Sequence, residues 1–313
     1  MITSASTSGA AAYGVEETPL STISADLAAR RVTSIHVTKA YIDRIKAFDH
    51  LLHAIIRIAP DALEKAAASD KRRSAGTALG PLDGVPILLK DNIDAVGMPT
   101  TAGSYALIEN YPARDAEVTR RLRAAGAIII GKSNLNQFSE FRTTHVFNGS
   151  TVGGVTRNPY DLTRTPSGSS SGSAVAAAVS FAAGAIGTET AGSVVSPASM
   201  NGLVGLKPTV GLVSRRGIVP ISLNQDTAGP MTRSVADAAI ILNAIAGSDT
   251  DDIWSKYADV HEADFVKALD PTALKGKRIG IVRDIDSVTS TTTPLLEAAI
   301  KVMTTQGVDA ALY

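Results

Sequence analysis

The sequence predicts an α/β fold, a mixed β-sheet core covered by helices on both faces with a helical N-terminal part, and three observations carry that prediction. The chain has 313 residues, 44% of them apolar and 19% charged, enough apolar material for a large core and too apolar for disorder. Helix-like and strand-like periodicities alternate along most of its length, which is the pattern of a sheet wrapped by helices. Glycines and prolines fall between the periodic segments as punctuation. One domain spanning residues 18–313 is expected, preceded by a flexible Ser/Ala-rich segment, residues 1–17.

Taken in order, Ser34 can cap a helix that sets Tyr41, Ile42, Ile45 and Phe48 on one face, and Pro60 opens an alanine-rich helix reaching about Arg73. The stretch GPLDGVPILLK, Gly80 to Lys90, reads as a short apolar strand that delivers a lysine at its end. Asp115 to Ala125 is helical, and Ala127 to Ile130 is a strand that Gly131 stops. The run from Ala174 to Ile186 reads as a buried helix, too short and too rich in alanine to span a bilayer. Ser234 to Ala246 is an apolar helix ended by Gly247, Arg278 to Val282 a strand, Pro294 to Thr304 a helix, and Ala310 to Tyr313 the beginning of another strand.

Charge and composition narrow the function. Thirty basic residues balance thirty acidic ones, so no overall field draws nucleic acid or an anionic membrane, and a small-molecule partner is expected. Cysteine is absent, which removes disulfides, thiolate metal sites and any thiol nucleophile. The opening MITSASTSGAAAYGVEE has neither a basic nor an apolar signal region, so a cytoplasmic location is expected.

The chemistry-bearing residues are serines and a lysine. Gly168-Ser169-Ser170-Ser171-Gly172 matches the G-x-S-x-G elbow in letters, but an elbow follows a strand and here RNPYDLTRTPS precedes. The cluster also lacks the G-K-[ST] ending of a phosphate-cradling loop. His50 and His53 lie at helical spacing without the glutamate of a zinc-binding helix, and His145 is the histidine nearest the serines in sequence. No lysine has a serine three residues before it, so S-x-x-K is absent. A Ser-His hydrolase using His145 stays the minor alternative; without a convincing histidine the remaining candidate base is a lysine, which works only as the neutral amine and so must be buried. Lys90, at the end of the apolar Val85-Pro86-Ile87-Leu88-Leu89 run, meets that condition; the alternative is a plain ion pair with Asp91 or Asp94.

The span SGSSSGSAVAAAVSFAAGAIGTETAGSVVSPASMNGLVGLKPTVGLVSRRGIVPIS, with GVPILLKDNID before it and QDTAGPMTRSVADAA after it, resembles the amidase signature family from about Thr18 to Gly280. The resemblance implies that family's fold and a Ser-Ser-Lys triad. Lys90 would be the base, Ser169, preceded by an unusual cis peptide bond, the proton relay, and Ser193 the nucleophile. It also implies an oxyanion hole of backbone N–H groups from Thr190, Ala191, Gly192 and Ser193. The implied reaction is hydrolysis of a carboxamide, a peptide C-terminal amide or a small aliphatic or aryl amide, to carboxylate and ammonia through a serine acyl-enzyme. It needs no metal and no cofactor.

Three departures from the family pattern stand out. Ala191 takes a place where Gly or Asp is usual; if that place requires a positive φ, alanine costs stability and tilts a donor. Asp is tolerated there in relatives, so activity is expected to survive. Val194-Val195 stands where many members have Ile-Arg, which, with TRNPY, GTET and NQDTAGPM, moves the resemblance toward bacterial peptide amidases. Family members also continue well past Tyr313. Either the chain is a truncated form of a longer enzyme, or the sheet edge is covered by another element, by a partner protein or by a second copy in a homo-oligomer. The alternatives are an amidotransferase-type subunit that hands ammonia to a partner and a catalytically impaired truncated homologue.

Overall fold

The computed structural model describes residues 13–140, 149–261, 263–282 and 292–312. They form α1 (Leu20–Ala28), α2 (Ser34–Leu52), β1 (Ile55–Ile58), α3 (Ala62–Ser74), β2 (Pro86–Lys90), α4 (Glu117–Ala124), β3 (Ile128–Ser133), β4 (Gly149–Ser150), β5 (Gly154–Val155), α5 (Ser171–Ala178) and β6 (Gly184–Glu189). Then come α6 (Val195–Met200), β7 (Val204–Gly205), β8 (Thr227–Thr232), α7 (Val235–Ile245), β9 (Arg278–Ile281), α8 (Thr293–Thr305) and β10 (Asp309–Leu312). His145 and Tyr313 lie outside the described residues.

The chain divides into two compact units, Met1–Ala263 and Asp264–Tyr313. The first is built on a six-stranded sheet in the order β1-β3-β2-β6-β8-β7. β2 pairs in parallel with both β3 and β6, while β1, β7 and β8 pair antiparallel, so the sheet is mixed as expected. β2, β3, β6 and β8 are buried along their whole length, which is why they read as continuous apolar or small-residue runs rather than as alternation. Helices cover both faces. Gly184 and Gly187 of β6 are three residues apart and so point to opposite faces; Ile241 of α7 presses on the first and Ser170, heading α5, on the second. In the second unit β9 and β10 pair in parallel, with α8 between them in sequence.

Four expectations need correction. The run from Ala174 to Ile186 is not one helix: α5 stops at Ala178, Ser180 turns the chain with φ of 60°, and β6 begins at Gly184. A short run that is buried almost throughout shows no polar face, so periodicity could not separate its helical part from its strand. Gly131 does not end a strand but sits inside β3, where a Cβ would meet the Arg57 carbonyl of β1 at 2.2 Å. Thr33, not Ser34, caps α2 by accepting the His36 N–H at 3.2 Å; Ser34 is the buried first residue and donates to the Gly84 carbonyl. Phe48 stays half-exposed, under the Arg44 guanidinium, while Tyr41, Ile42 and Ile45 enter the core.

Candidate active site

The topology explains why the segment at Ser169–Ser170 and the distant segment at Ser193 come together. α5 runs away from Ser169 and Ser170, turns, and β6 returns beside β2; a helix of eight residues descends about 12 Å and a strand of six climbs about 20 Å. Ser193, in the turn after β6, therefore comes back to the level of the head of α5. The tie is direct: the Ser170 N–H donates to the Ser193 carbonyl at 3.2 Å. Lys90 ends β2, which is parallel to β6, so it reaches the same end of the sheet. The carboxyl ends of adjacent parallel strands are where ligand crevices form in open α/β sheets.

Lys90 is fully buried. Its Nζ lies 2.7 Å from Ser169 Oγ, 2.9 Å from Thr188 Oγ1 and 3.3 Å from the Thr188 carbonyl. Asn92 Nδ2 also donates to Thr188 Oγ1, at 2.9 Å, which holds that hydroxyl in place. No carboxylate within ion-pair distance of Lys90 is found among the described residues. Burial pushes its pKa down to about 7, against the weaker opposing charges of Glu140, Asp226 and Glu189. The plain ion pair with Asp91 or Asp94 is not formed, because Asp91 is taken by another buried lysine: Lys132 of β3 meets it at 2.7 Å. Sequence reasoning does not single out Lys132, since GKS after an isoleucine run looks like the exit of a strand. The two buried amines differ in that one faces a carboxylate and the other faces hydroxyls and a carbonyl.

The serine-rich loop is fixed by close contacts. The Gly168–Ser169 peptide is cis, as the resemblance implies. Ser169 is buried, and its carbonyl accepts the Asn136 N–H at 3.0 Å. A Cβ on Gly168 would lie 2.2 Å from Asn136 Nδ2, and one on Gly172 2.4 Å from the Ala54 carbonyl, so neither position has room for a side chain. Ser170, the centre of the elbow-like letters, is a structural link: its hydroxyl donates to the Thr188 carbonyl at 3.1 Å and accepts the Thr188 N–H at 3.2 Å. His53 is likewise structural, closing α2 in the left-handed conformation.

Thr190 to Ser193 form the turn after β6. Ala191 is exposed and is not in a positive-φ conformation; that role falls to Gly192, at φ of 90°, so alanine is accommodated without strain. The Gly192 N–H donates to Glu189 Oε1 at 3.0 Å, whereas the N–H groups of Thr190, Ala191 and Ser193 have no partner among the described residues. Thr190 Oγ1 donates to Asp226 Oδ1 at 2.5 Å. Sequence reasoning misses both Glu189 and Asp226; an acidic residue closing a buried strand is the one available signal for Glu189. A small hollow beside these groups is lined by Asn92, Thr188, Glu189, Thr190, Arg215 and Asp226. A larger cavity, of about 350 Å³, lies along the α5–β6 turn and includes none of the candidate residues.

No helix among the described residues is long and apolar enough to cross a membrane, and no cluster of three His, Cys, Asp or Glu side chains among them could hold a metal ion. The solved structure of native peptide amidase from Stenotrophomonas maltophilia superposes with a TM-score of 0.92 at 48% identity, over 95% of this chain and 62% of that one. A probable amidase of Arabidopsis thaliana is 42% identical over 94% of this chain and 57% of its own length. A glutamyl-tRNA(Gln) amidotransferase subunit of Acidothermus cellulolyticus is 46% identical over 84% of this chain and 51% of its own. The chain thus spans little more than half the length of these curated relatives. The Amidase family profile matches residues 36–311, and with the mixed sheet and the serine-lysine cluster at its carboxyl edge the chain belongs to that family.

Proposed function

We propose that this chain carries the catalytic centre of a carboxamide hydrolase, with Lys90 as base, Ser169 as relay and Ser193 as nucleophile. The observation that carries this reading is the contact of a fully buried, carboxylate-free Lys90 with Ser169 Oγ at 2.7 Å. A neutral amine has two N–H donors and one lone pair. The Thr188 carbonyl can only accept and takes one N–H; with Asn92 on one lone pair of Thr188 Oγ1 and the second amine N–H on the other, the amine lone pair is left for the Ser169 hydroxyl proton. Ser169 passes its proton to Lys90 as it takes one from Ser193, and the Ser193 oxygen attacks the amide carbonyl. The N–H groups of Thr190, Ala191 and Ser193 receive the oxyanion, with that of Gly192 held on Glu189. Collapse returns the proton to the leaving amine and leaves an acyl-enzyme, which water hydrolyses by the same relay. The scheme draws on no metal or cofactor.

For the substrate, the reading is a peptide C-terminal carboxamide. Its support is the 48% identity to peptide amidase, a protein also solved with the competitive inhibitor chymostatin, and the Val194-Val195 pair that leaves no arginine beside the nucleophile. The amidotransferase reading is favoured by the 46% identity to the Acidothermus cellulolyticus amidotransferase chain. Ammonia release from a panel of peptide amides and small amides, without any partner, separates the two. Release that requires an added partner overturns the hydrolase reading, and a fluorophosphonate that fails to label Ser193 overturns both.

A further inference from the structure

Glu189 is the last residue of β6, and its buried carboxylate folds back under the turn that carries Ser193. Oε1 accepts the Gly192 N–H at 3.0 Å; Oε2 accepts the Val194 N–H at 2.8 Å and the Val195 N–H at 3.0 Å. These donors flank Ser193 on both sides, so one side chain fixes the backbone before and after it. Hydrogen bonds to a carboxylate are shorter and stronger than neutral ones, which suits a clamp on a turn that includes a glycine at positive φ. Asp226 secures the other flank: Oδ1 takes the Thr190 hydroxyl and Oδ2 takes the Ile221 and Ser222 N–H groups at 2.8 and 2.9 Å. The charges that act on Lys90 are those of Glu140, Asp226 and Glu189, all negative, whereas Lys132 and Asp91 are paired with each other.

We propose that Glu189 is the positioning residue of the nucleophile: its carboxylate clamps Gly192, Val194 and Val195 to hold Ser193 in attacking register, and its charge helps to set the field in which Lys90 works. The inference rests on the assignment of Lys90, Ser169 and Ser193 above. Misplacing a reacting atom by about 1 Å costs about 10²-fold in rate, so a loosened clamp is read in the reaction of Ser193 rather than in substrate affinity. The glutamine variant keeps the reach but turns one acceptor oxygen into an NH2 group that opposes a backbone N–H. It also removes a negative charge from the surroundings of Lys90, which makes the ammonium less favourable. The aspartate variant keeps the charge but is one methylene short of the turn.

The test is the rate at which a fluorophosphonate labels Ser193, followed through the pH range on either side of 7 in wild type, Glu189→Gln, Glu189→Asp and Lys90→Ala, with kcat and KM on a carboxamide that wild type turns over. Glu189→Gln is expected to lose about 10²-fold in labelling rate and kcat at unchanged KM, with the acid limb of the profile moved to lower pH. Glu189→Asp is expected to lose rate with the limb unmoved. A Glu189→Gln protein that labels at the wild-type rate, or one that loses rate while its acid limb stays in place, overturns the proposal. If the glutamine variant does not fold, Glu189→Asp decides: lost rate with an unmoved limb supports the clamp, and the wild-type rate overturns it. Lys90→Ala separates the two levels of argument. If it labels at the wild-type rate the triad assignment fails; if it is silent while Glu189→Gln behaves as wild type, only the clamp fails.

Discussion

At the scale of single residues, the two buried lysines show how environment divides one residue type into different roles. Lys132 keeps a carboxylate at 2.7 Å, while Lys90 has hydroxyls and a carbonyl. Burial lowers both pKa values, but for Lys132 the facing Asp91 opposes the shift. With Lys90 at about 7, the fraction of neutral amine falls as pH falls below that value. The expected pH profile of kcat/KM is therefore a rise toward a plateau above about 7, with a single-proton loss on the acid side, measured on the hydrolysis of a carboxamide. Lys90→Met is expected to lower turnover by about 10²- to 10⁴-fold, the usual contribution of a general base. Full activity in that variant would remove Lys90 from the reaction. Lys90 is legible in the sequence from the apolar run before it; its counterpart at 132 is not, because the Asp91 partner arrives from beyond the end of a different strand.

At the scale of elements, the small residues around the serines are there for close approach. Gly172, the second residue of α5, lies against the backbone of Asn134, where a Cβ would come within 2.5 Å of both N and O, and against the Ala54 carbonyl at 2.4 Å. Gly131 lets β3 lie against β1 in the same way. Each added methyl would meet backbone, which cannot rotate away as a side chain can. Gly172→Ala and Gly131→Ala are each expected to destabilise by about 1–3 kcal/mol or more, read as a lower urea midpoint at unchanged m-value. A midpoint equal to wild type would show that the sheet and loop yield at those positions. Element existence is legible for α2, α4, α7 and β2, whose apolar spacing or caps are strong. It fails from Ala174 to Ile186, where alanine and glycine have no face to display and only the three-dimensional neighbours decide between helix and strand.

At the scale of the whole molecule, the first unit is organised so that its best-buried strands, β2, β3, β6 and β8, hold the candidate site at the end shared by β2 and β6. α8, in the second unit, has no fully buried residue. Backbone amides of β2, β3 and β6 are expected to exchange hydrogen most slowly and those of α8 much faster, as seen by mass spectrometry of deuterated peptides. Equal protection would mean that α8 is as tightly held as the central sheet. By itself the sequence determined the α/β class, the run of the family motif, and the candidacy of Lys90, Ser169 and Ser193, because glycine-serine clusters and an apolar strand ending in lysine are local signals. Tertiary structure decided which lysine lacks a carboxylate, that Ala191 sits free of strain while Gly192 takes the positive φ, and that Glu189 grips the turn around Ser193. Those facts depend on which groups from other strands and turns arrive at the same point, and distance in space is not written in the order of residues.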